Sequence, residues 1–345
     1  MKPIFKYFKG SFAVTAAGLV LSYMISGGWS AVFTAFVLAV LETSLSFDNA
    51  VVNATVLKDM DAKWRHRFIT WGMLIAVFGM RMIFPLAIVA VIAGVGIIDA
   101  FRLAVFSPDK YAATLTSARV SVAAFGGAFL MMVFLRFFLD KKKALHWIGF
   151  LEAPLSKLGR IEAIHMAIVL IIMFFIGRHI KAVEQVSFWI SGAMGLVTYV
   201  FADGIGVVIS AGETQHDKTV AVAKSGFASF MYLEILDASF SFDGVIGAFA
   251  LTDNFFIIAI GLGIGAMFVR SLTIMLVEQG TLEHFKYLEH SAFWAIGALA
   301  MIMFLGAFMH IPEVVTGTLS VAFIIAGVIH SMLDKRVKHE FNSIP

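Results

Sequence analysis

The chain has 345 residues, of which 60% are hydrophobic and 14% charged, with a mean hydropathy of +0.91 and a formal net charge of +3. A soluble domain carries about 25% charged residues, so the composition excludes an ordinary soluble protein and points to an all-α, polytopic membrane protein. Cysteine is absent, which removes disulfides, thiolate metal sites and cysteine nucleophiles, and the scattered charge resembles neither a nucleic-acid-binding patch nor a disordered tail.

Apolar runs bounded by charged or Gly-rich breaks predict ten spans, at 10–26, 31–57, 68–98, 118–139, 162–177, 187–211, 226–251, 254–279, 291–310 and 314–333. A span needs about 20 residues, and the first and fifth are short. The first has a basic start like a signal peptide, but Tyr23-Met24-Ile25-Ser26-Gly27 is a poor cleavage site, so a retained helix is expected. With the N-terminus inside, 18 Lys and Arg fall in inside segments and 5 in outside loops. That bias predicts a multi-pass protein of the inner (plasma) membrane with both termini cytoplasmic. The expected organisation is an N-terminal helix (1–30), a first three-helix repeat (31–140), a cytoplasmic loop with two connecting helices (141–225), a second three-helix repeat (226–310), and a last helix with a basic tail (311–345).

The division into repeats rests on a phrase that occurs twice. Leu41-Glu42-Thr43-Ser44-Leu45-Ser46-Phe47-Asp48 returns 195 residues later as Leu236-Asp237-Ala238-Ser239-Phe240-Ser241-Phe242-Asp243. The copies fall in spans two and seven, an odd number apart, so they cross the membrane in opposite directions, as in an inverted repeat. Each is followed one span later by an arginine inside an apolar run, Arg81 and Arg270. Spans four and nine share Gly- and Ala-rich starts, a weaker match because small residues are common at helix contacts in membranes. Spans 2–4 and 7–9 therefore form a 3+3 inverted-repeat core.

Carboxylates at membrane depth are costly and mark ion or proton paths by default. On a regular helix Glu42, Ser46, Asn49 and Asn53 share one face, while Asp48 is rotated about 120° off it. Two arrangements fit: the helix is unwound near Ser46–Asp48, or it is regular and Asp48 faces a neighbour such as Arg81. In span seven Glu234, Asp237 and Ser241 share a face and Asp243 is offset, with Gly244 and Gly247 easing a local unwinding. Five core acids, Glu42, Asp48, Glu234, Asp237 and Asp243, face two arginines. The excess must be met by cations or protons. Oxygen donors without sulfur select a hard divalent ion, Mn²⁺, Mg²⁺ or Ca²⁺, and the motifs hold no histidine for zinc. Against these readings stand plainer ones: Asp48–Arg81 and Asp243–Arg270 as packing salt bridges, serines bonded to their own helix carbonyls, and Asn49 and Asn53 as helix–helix contacts. Glu42 and Asp237 have no further basic partner in sequence. Asp203, in span six, reads as part of a local Gly-associated turn.

Glu42-x-x-Leu45-Ser46-x-Asp48-Asn49 resembles the first motif of the TerC family of integral membrane proteins, related to the LysE-type transporter superfamily. Glu234-x-x-Asp237-x-x-Phe240-Ser241-x-Asp243 and the later Arg270-Ser271-Leu272 resemble that family's second half. The resemblance covers roughly 30–310. It implies a three-plus-three helical core, manganese export in some members and tellurium resistance in others, and a metal site to which Glu42, Asp48, Asn49, Asp237 and Asp243 contribute. Glu234 joins that candidate ligand set, with Ser46, Ser241, Asn53, Arg81 and Arg270 in support. The leading expectation is a non-enzymatic exporter of a divalent cation, Mn²⁺ first, working by alternating access and exchanging for protons. The cation is substrate, and no cofactor is expected. The expected partners are that cation and the lipid bilayer, with room for a homo-oligomer or a stress-response complex, and no nucleic acid. Two competitors are a scaffold docking such a complex through Lys141–Glu162, and an intramembrane aspartyl protease using Asp48 and Asp243, which lacks a Gly-x-Gly-Asp loop.

Overall fold

The computed structural model describes residues 4–26, 28–72, 74–140, 145–159, 163–211, 218–249, 251–309 and 311–342, with the side chains of 26, 203–211, 218–225, 242–243, 313 and 335–342 outside the description. Among the described residues the fold is all-helical. In chain order it comprises α1 (Phe5–Ser26), α2 (Trp29–Leu45), α3 (Phe47–Asp59), α4 (Ala62–Arg67), two wide π-helical segments π1 (Phe68–Gly72) and π2 (Ile75–Ile83), α5 (Phe84–Ala93), α6 (Ile97–Phe106), α7 (Pro108–Ser117) and α8 (Arg119–Phe138). It continues through α9 (Gly149–Leu158), α10 (Ile164–Gly177), α11 (Ala182–Ala211), α12 (Lys218–Ala248), α13 (Phe255–Glu278), α14 (Thr281–His284), α15 (Leu288–Gly306) and α16 (Glu313–Asn342).

Seven of the described helices are long and apolar enough to cross a membrane, and the bent pair α2–α3 makes an eighth. Among the described residues the protein is thus a multi-pass membrane protein with seven to eight candidate spans, where ten were expected. The run 162–177 is not among them, because the apolar helix α10 has only 14 residues. The run 226–251 falls on α12, parts of which lie outside the described residues.

Two local departures from α-helix shape the interior. The first is a 51° bend between α2 and α3 at Ser46. Just before it, Thr43 Oγ1 donates to the Ala39 carbonyl at 2.7 Å and Ser44 Oγ to the Val40 carbonyl at 2.8 Å. Such back-bonds compete with the backbone ladder and bend helices. Just after it, Asp48 Oδ1 accepts from the Asn49 amide at 2.9 Å, capping a donor that the break leaves free. The second departure is π2, which runs into Pro85 in the first turn of α5. Proline lacks the amide that would continue the α-helical ladder, and π-bulges are frequent at functional sites. The second motif copy behaves differently. It has Ala238 where the first has Thr43, and α12 runs unbroken to Ala248, so the unwinding expected near Gly244 does not occur.

Close packing then fixes the bent helix. α13 lies against α2 through Gly261 and Gly265, where a methyl group would stand 2.6 Å from Leu38 Cβ and 2.5 Å from Glu42 Cβ respectively. Small residues at this spacing let membrane helices approach backbone to backbone. α8 packs between α11 and α15, α1 on α13, and α12 on π2. The stacked Phe137–Phe293 rings, 3.8 Å apart, join α8 to α15. One end of the bundle holds the end of α3 and the start of α15, bridged by Lys58–Glu289 at 3.5 Å. The other end holds the start of α8 and the end of α15, where Arg119 Nη2 donates to the Met309 carbonyl at 3.0 Å.

Candidate functional site

The bend aims α3 at α12. Asn49 Nδ2 and Asn53 Nδ2, one turn apart, both donate to Asp237 Oδ1, at 2.7 and 3.0 Å. All three side chains are buried. The amide oxygens Asn49 Oδ1 and Asn53 Oδ1 are buried with no hydrogen-bond partner. A cavity of about 30 Å³, room for a water or a small ion, is lined by Asn49, Asn53, Asp237, Arg81, Arg270 and Thr273, among others. Residues from both motif copies thus meet at one point.

The remaining acids go elsewhere. Glu42 Oε1 accepts from Arg81 Nη2 and, at 3.0 Å, from Ser46 Oγ. The expected Asp48–Arg81 pair is therefore not formed, because the bend turns Asp48 away from π2. Asp48 is fully buried and its Oδ2 accepts from Ser320 Oγ of α16 at 3.0 Å. Arg81 in turn anchors itself to its own helix, donating from Nη1 to the Ala76 carbonyl at 3.0 Å. The expectation that Glu42 lacks a basic partner fails for the same reason. Glu234 lies one turn before Asp237, buried, with both carboxyl oxygens unpartnered. A methyl group at Gly72 of π1 would come within 2.8 Å of its Oε1. Ser241 Oγ is buried without a partner, whereas Ser239 Oγ bonds back to the Ile235 carbonyl at 3.0 Å. The side chains of Asp243 and Asp203 lie outside the described residues. Among the described residues no three His, Cys, Asp or Glu side chains group as a metal centre would.

A second cavity, about 220 Å³, lies on the other side of Glu42, with Ser46, Thr116, Arg119, Gly244 and Thr316 in its wall. Gly244, whose counterpart in the first copy is Asn49, leaves room there: a methyl group would stand 2.9 Å from Glu42 Oε2.

Sequence reasoning missed one polar cluster altogether. Within the region read as a polar connection, α9 buries Glu152, which accepts from Trp294 Nε1 at 3.0 Å and the Trp147 amide at 3.0 Å, with His146 and His290 each 3.7 Å away. The only signal was a lone acid among apolar residues on a short helix. Residues 141–144 and 160–162 of that connection lie outside the described residues.

The family model that matches the chain is "Protein of unknown function (DUF475)", over residues 47–338. The chain belongs to the DUF475 family. The TerC resemblance is thereby corrected. It rested on two short acidic motifs, and the second copy departs from the TerC pattern, reading Gly244-Val245-Ile246-Gly247-Ala248 where that family has Ser-Ile-Pro-Ala. An uncharacterized membrane protein of Rickettsia prowazekii is 27% identical over 109 residues, 32% of this chain and 36% of the relative. Another, of Rickettsia conorii, is 26% identical over 111 residues, with the same shares. The chain thus spans about a third of the length of the curated relatives it matches. No solved structure matches.

Proposed function

We propose that this DUF475 protein carries a small hard cation across the membrane, with Mn²⁺ the first ion to test, through a site made by Asp237, Asn49 and Asn53. The observation that carries this reading is a pair of buried amide oxygens with no hydrogen-bond partner, Asn49 Oδ1 and Asn53 Oδ1, on residues that line one cavity with Asp237. Each unsatisfied buried polar atom costs about 1–3 kcal/mol. A cation offsets both at once, and oxygen-only ligation suits Mn²⁺, Mg²⁺ or Ca²⁺. Charge supports the same reading, since the described core acids Glu42, Asp48, Glu234 and Asp237 outnumber Arg81 and Arg270 by four to two. The Lys- and Arg-rich end of the bundle is the cytoplasmic one in this proposal, and proton exchange supplies the driving force.

The test is flux into proteoliposomes with Mn²⁺, Mg²⁺ or Ca²⁺ and an imposed pH gradient, parent against Asp237→Asn. Saturable flux that the variant loses supports the reading. Absence of flux for every cation, in protein shown to be folded, sinks it and favours the scaffold alternative, for which Glu42, paired with Arg81, and Asp48, bonded to Ser320, are structural pins.

A further inference from the structure

The Glu42–Arg81 ion pair links two cavities, with one partner in the wall of each. Arg81 lines the small cavity with Asp237, Asn49 and Asn53. Glu42 lines the large one with Ser46, Thr116 and Thr316. The small cavity reaches Leu57 and Phe68, toward the Lys58–Glu289 end of the bundle. The large one reaches Arg119 and Ile311, toward the opposite end.

The geometry points to the Glu42–Arg81 ion pair as the closed gate of a continuous path through the protein, with Arg81 acting as a tethered cation that exchanges between two carboxylates. This rests on the cation-transport reading. Glu42 presents Oε1 to Arg81 and Ser46, while Oε2 faces the space beside Gly244 in the wall of the larger cavity. Arg81 shares a cavity with Asp237, so a carboxylate is at hand to receive its charge when it leaves Glu42. Both ends of the pair sit on deformable backbone. Ser46 is the residue at the α2–α3 bend, and Arg81 belongs to π2, whose wide turns can tighten by a one-residue slip. A buried pair is costly to break when one charge is left without a partner, so an exchange that hands Arg81 directly to a second carboxylate avoids that cost. An arriving cation that neutralises Glu42 releases Arg81 toward Asp237, and a cation on Asp237 sends it back. In this exchange Arg81 always has a carboxylate partner.

The chain has no cysteine, so single-cysteine reporters need no background removed. Ile69→Cys reports the small cavity and Thr116→Cys the large one. Each is exposed to Ag⁺ from one side of oriented proteoliposomes, and the remaining thiol is counted with a fluorescent maleimide after denaturation. With Arg81 intact, each cysteine is expected to react from its own side only. Arg81→Gln is expected to raise the reaction of each from the far side at least tenfold, and Arg81→Lys is expected to keep the block. Because Arg81→Gln leaves Glu42 unpaired and can fail to fold, the double variant Glu42→Gln/Arg81→Gln is run beside it and is expected to leak as well. Unchanged sidedness in the folded double variant overturns the gate, as does two-sided reaction of the parent. Labelling needs no ion flux. A gate that opens in a protein carrying no cation sinks the transport reading alone, and cation flux with unchanged sidedness sinks the gate alone.

Discussion

The position of Glu42 in α2 depends on a glycine of α13, far away in sequence, and Gly265→Ala tests that dependence. A methyl group there would stand 2.5 Å from Glu42 Cβ and Cγ and 3.0 Å from the Ala39 carbonyl. Carbon atoms rest at about 3.5–4.0 Å, so α2 and α13 must part by roughly 1 Å. Over-packing of this kind costs about 1–3 kcal/mol, while the gain in helix propensity from Gly to Ala returns about 1 kcal/mol. Gly10→Ala isolates the second quantity, since a methyl group on Gly10 of α1 meets nothing within 4 Å. The expected result is therefore a difference: Gly265→Ala less stable than Gly10→Ala by about 1–3 kcal/mol, or about 5-fold to over 100-fold in the folded-to-unfolded ratio. Reversible unfolding in mild detergent, followed by tryptophan fluorescence, measures both. If the two variants shift stability equally, the glycine contact does not hold α2 against α13, and the placement of Glu42 needs another cause.

Three further outcomes follow from the same geometry. Ser320→Ala removes the α16 donor to Asp48 Oδ2 and should cost about 1–3 kcal/mol in the same unfolding assay; a neutral result would mean that Asp48 is satisfied by other means. Asn53→Leu takes away one of the two amides on Asp237 and should lower Mn²⁺ flux more than tenfold while the protein stays folded; parental flux would remove α3 from the site. Thr43→Ala/Ser44→Ala deletes both hydroxyl back-bonds before the bend. Straightening should lengthen the spin-label distance between Phe33→Cys and Lys58→Cys by about 4 Å, at 1.5 Å of rise per residue and the present 51° bend; an unchanged distance would clear the hydroxyls of causing it.

Membrane class and the doubled acidic phrase were legible because hydropathy and self-similarity are properties of the chain itself. The convergence of Asn49 and Asn53 on one face was legible too, because both lie on the regular turn after the bend, where a 3.6-residue period applies. Partner choice was not. Arg81 sits in π2, whose wider turns invalidate a helical-wheel placement, and the bend at Ser46 turns Asp48 toward α16, which contributes Ser320 from 272 positions later. Nothing near Asp48 in sequence encodes that hydroxyl. Family membership was misread for a related reason: acids, hydroxyls and amides on one helix are what any buried polar path needs, so a short match in them discriminates poorly between families.

The two copies of the phrase have diverged in a way that divides the labour of the site. The first supplies amides and a bend: Asn49 and Asn53 reach across the interface, on the helix that follows the back-bonded Thr43 and Ser44. The second supplies a carboxylate on an unbroken helix, Asp237 on α12. At the position matching Asn49 it has Gly244, where even a Cβ would press on Glu42 Oε2. A symmetric site would need an amide at that point and would then have no space for the Glu42 carboxylate to face the larger cavity. The loss of symmetry at Gly244 and the pairing of Glu42 with Arg81 are thus one design. The first copy's acid is held by Arg81 of π2, and the second copy's acid is left to the amides of α3, beside a cavity of the size of one small ion.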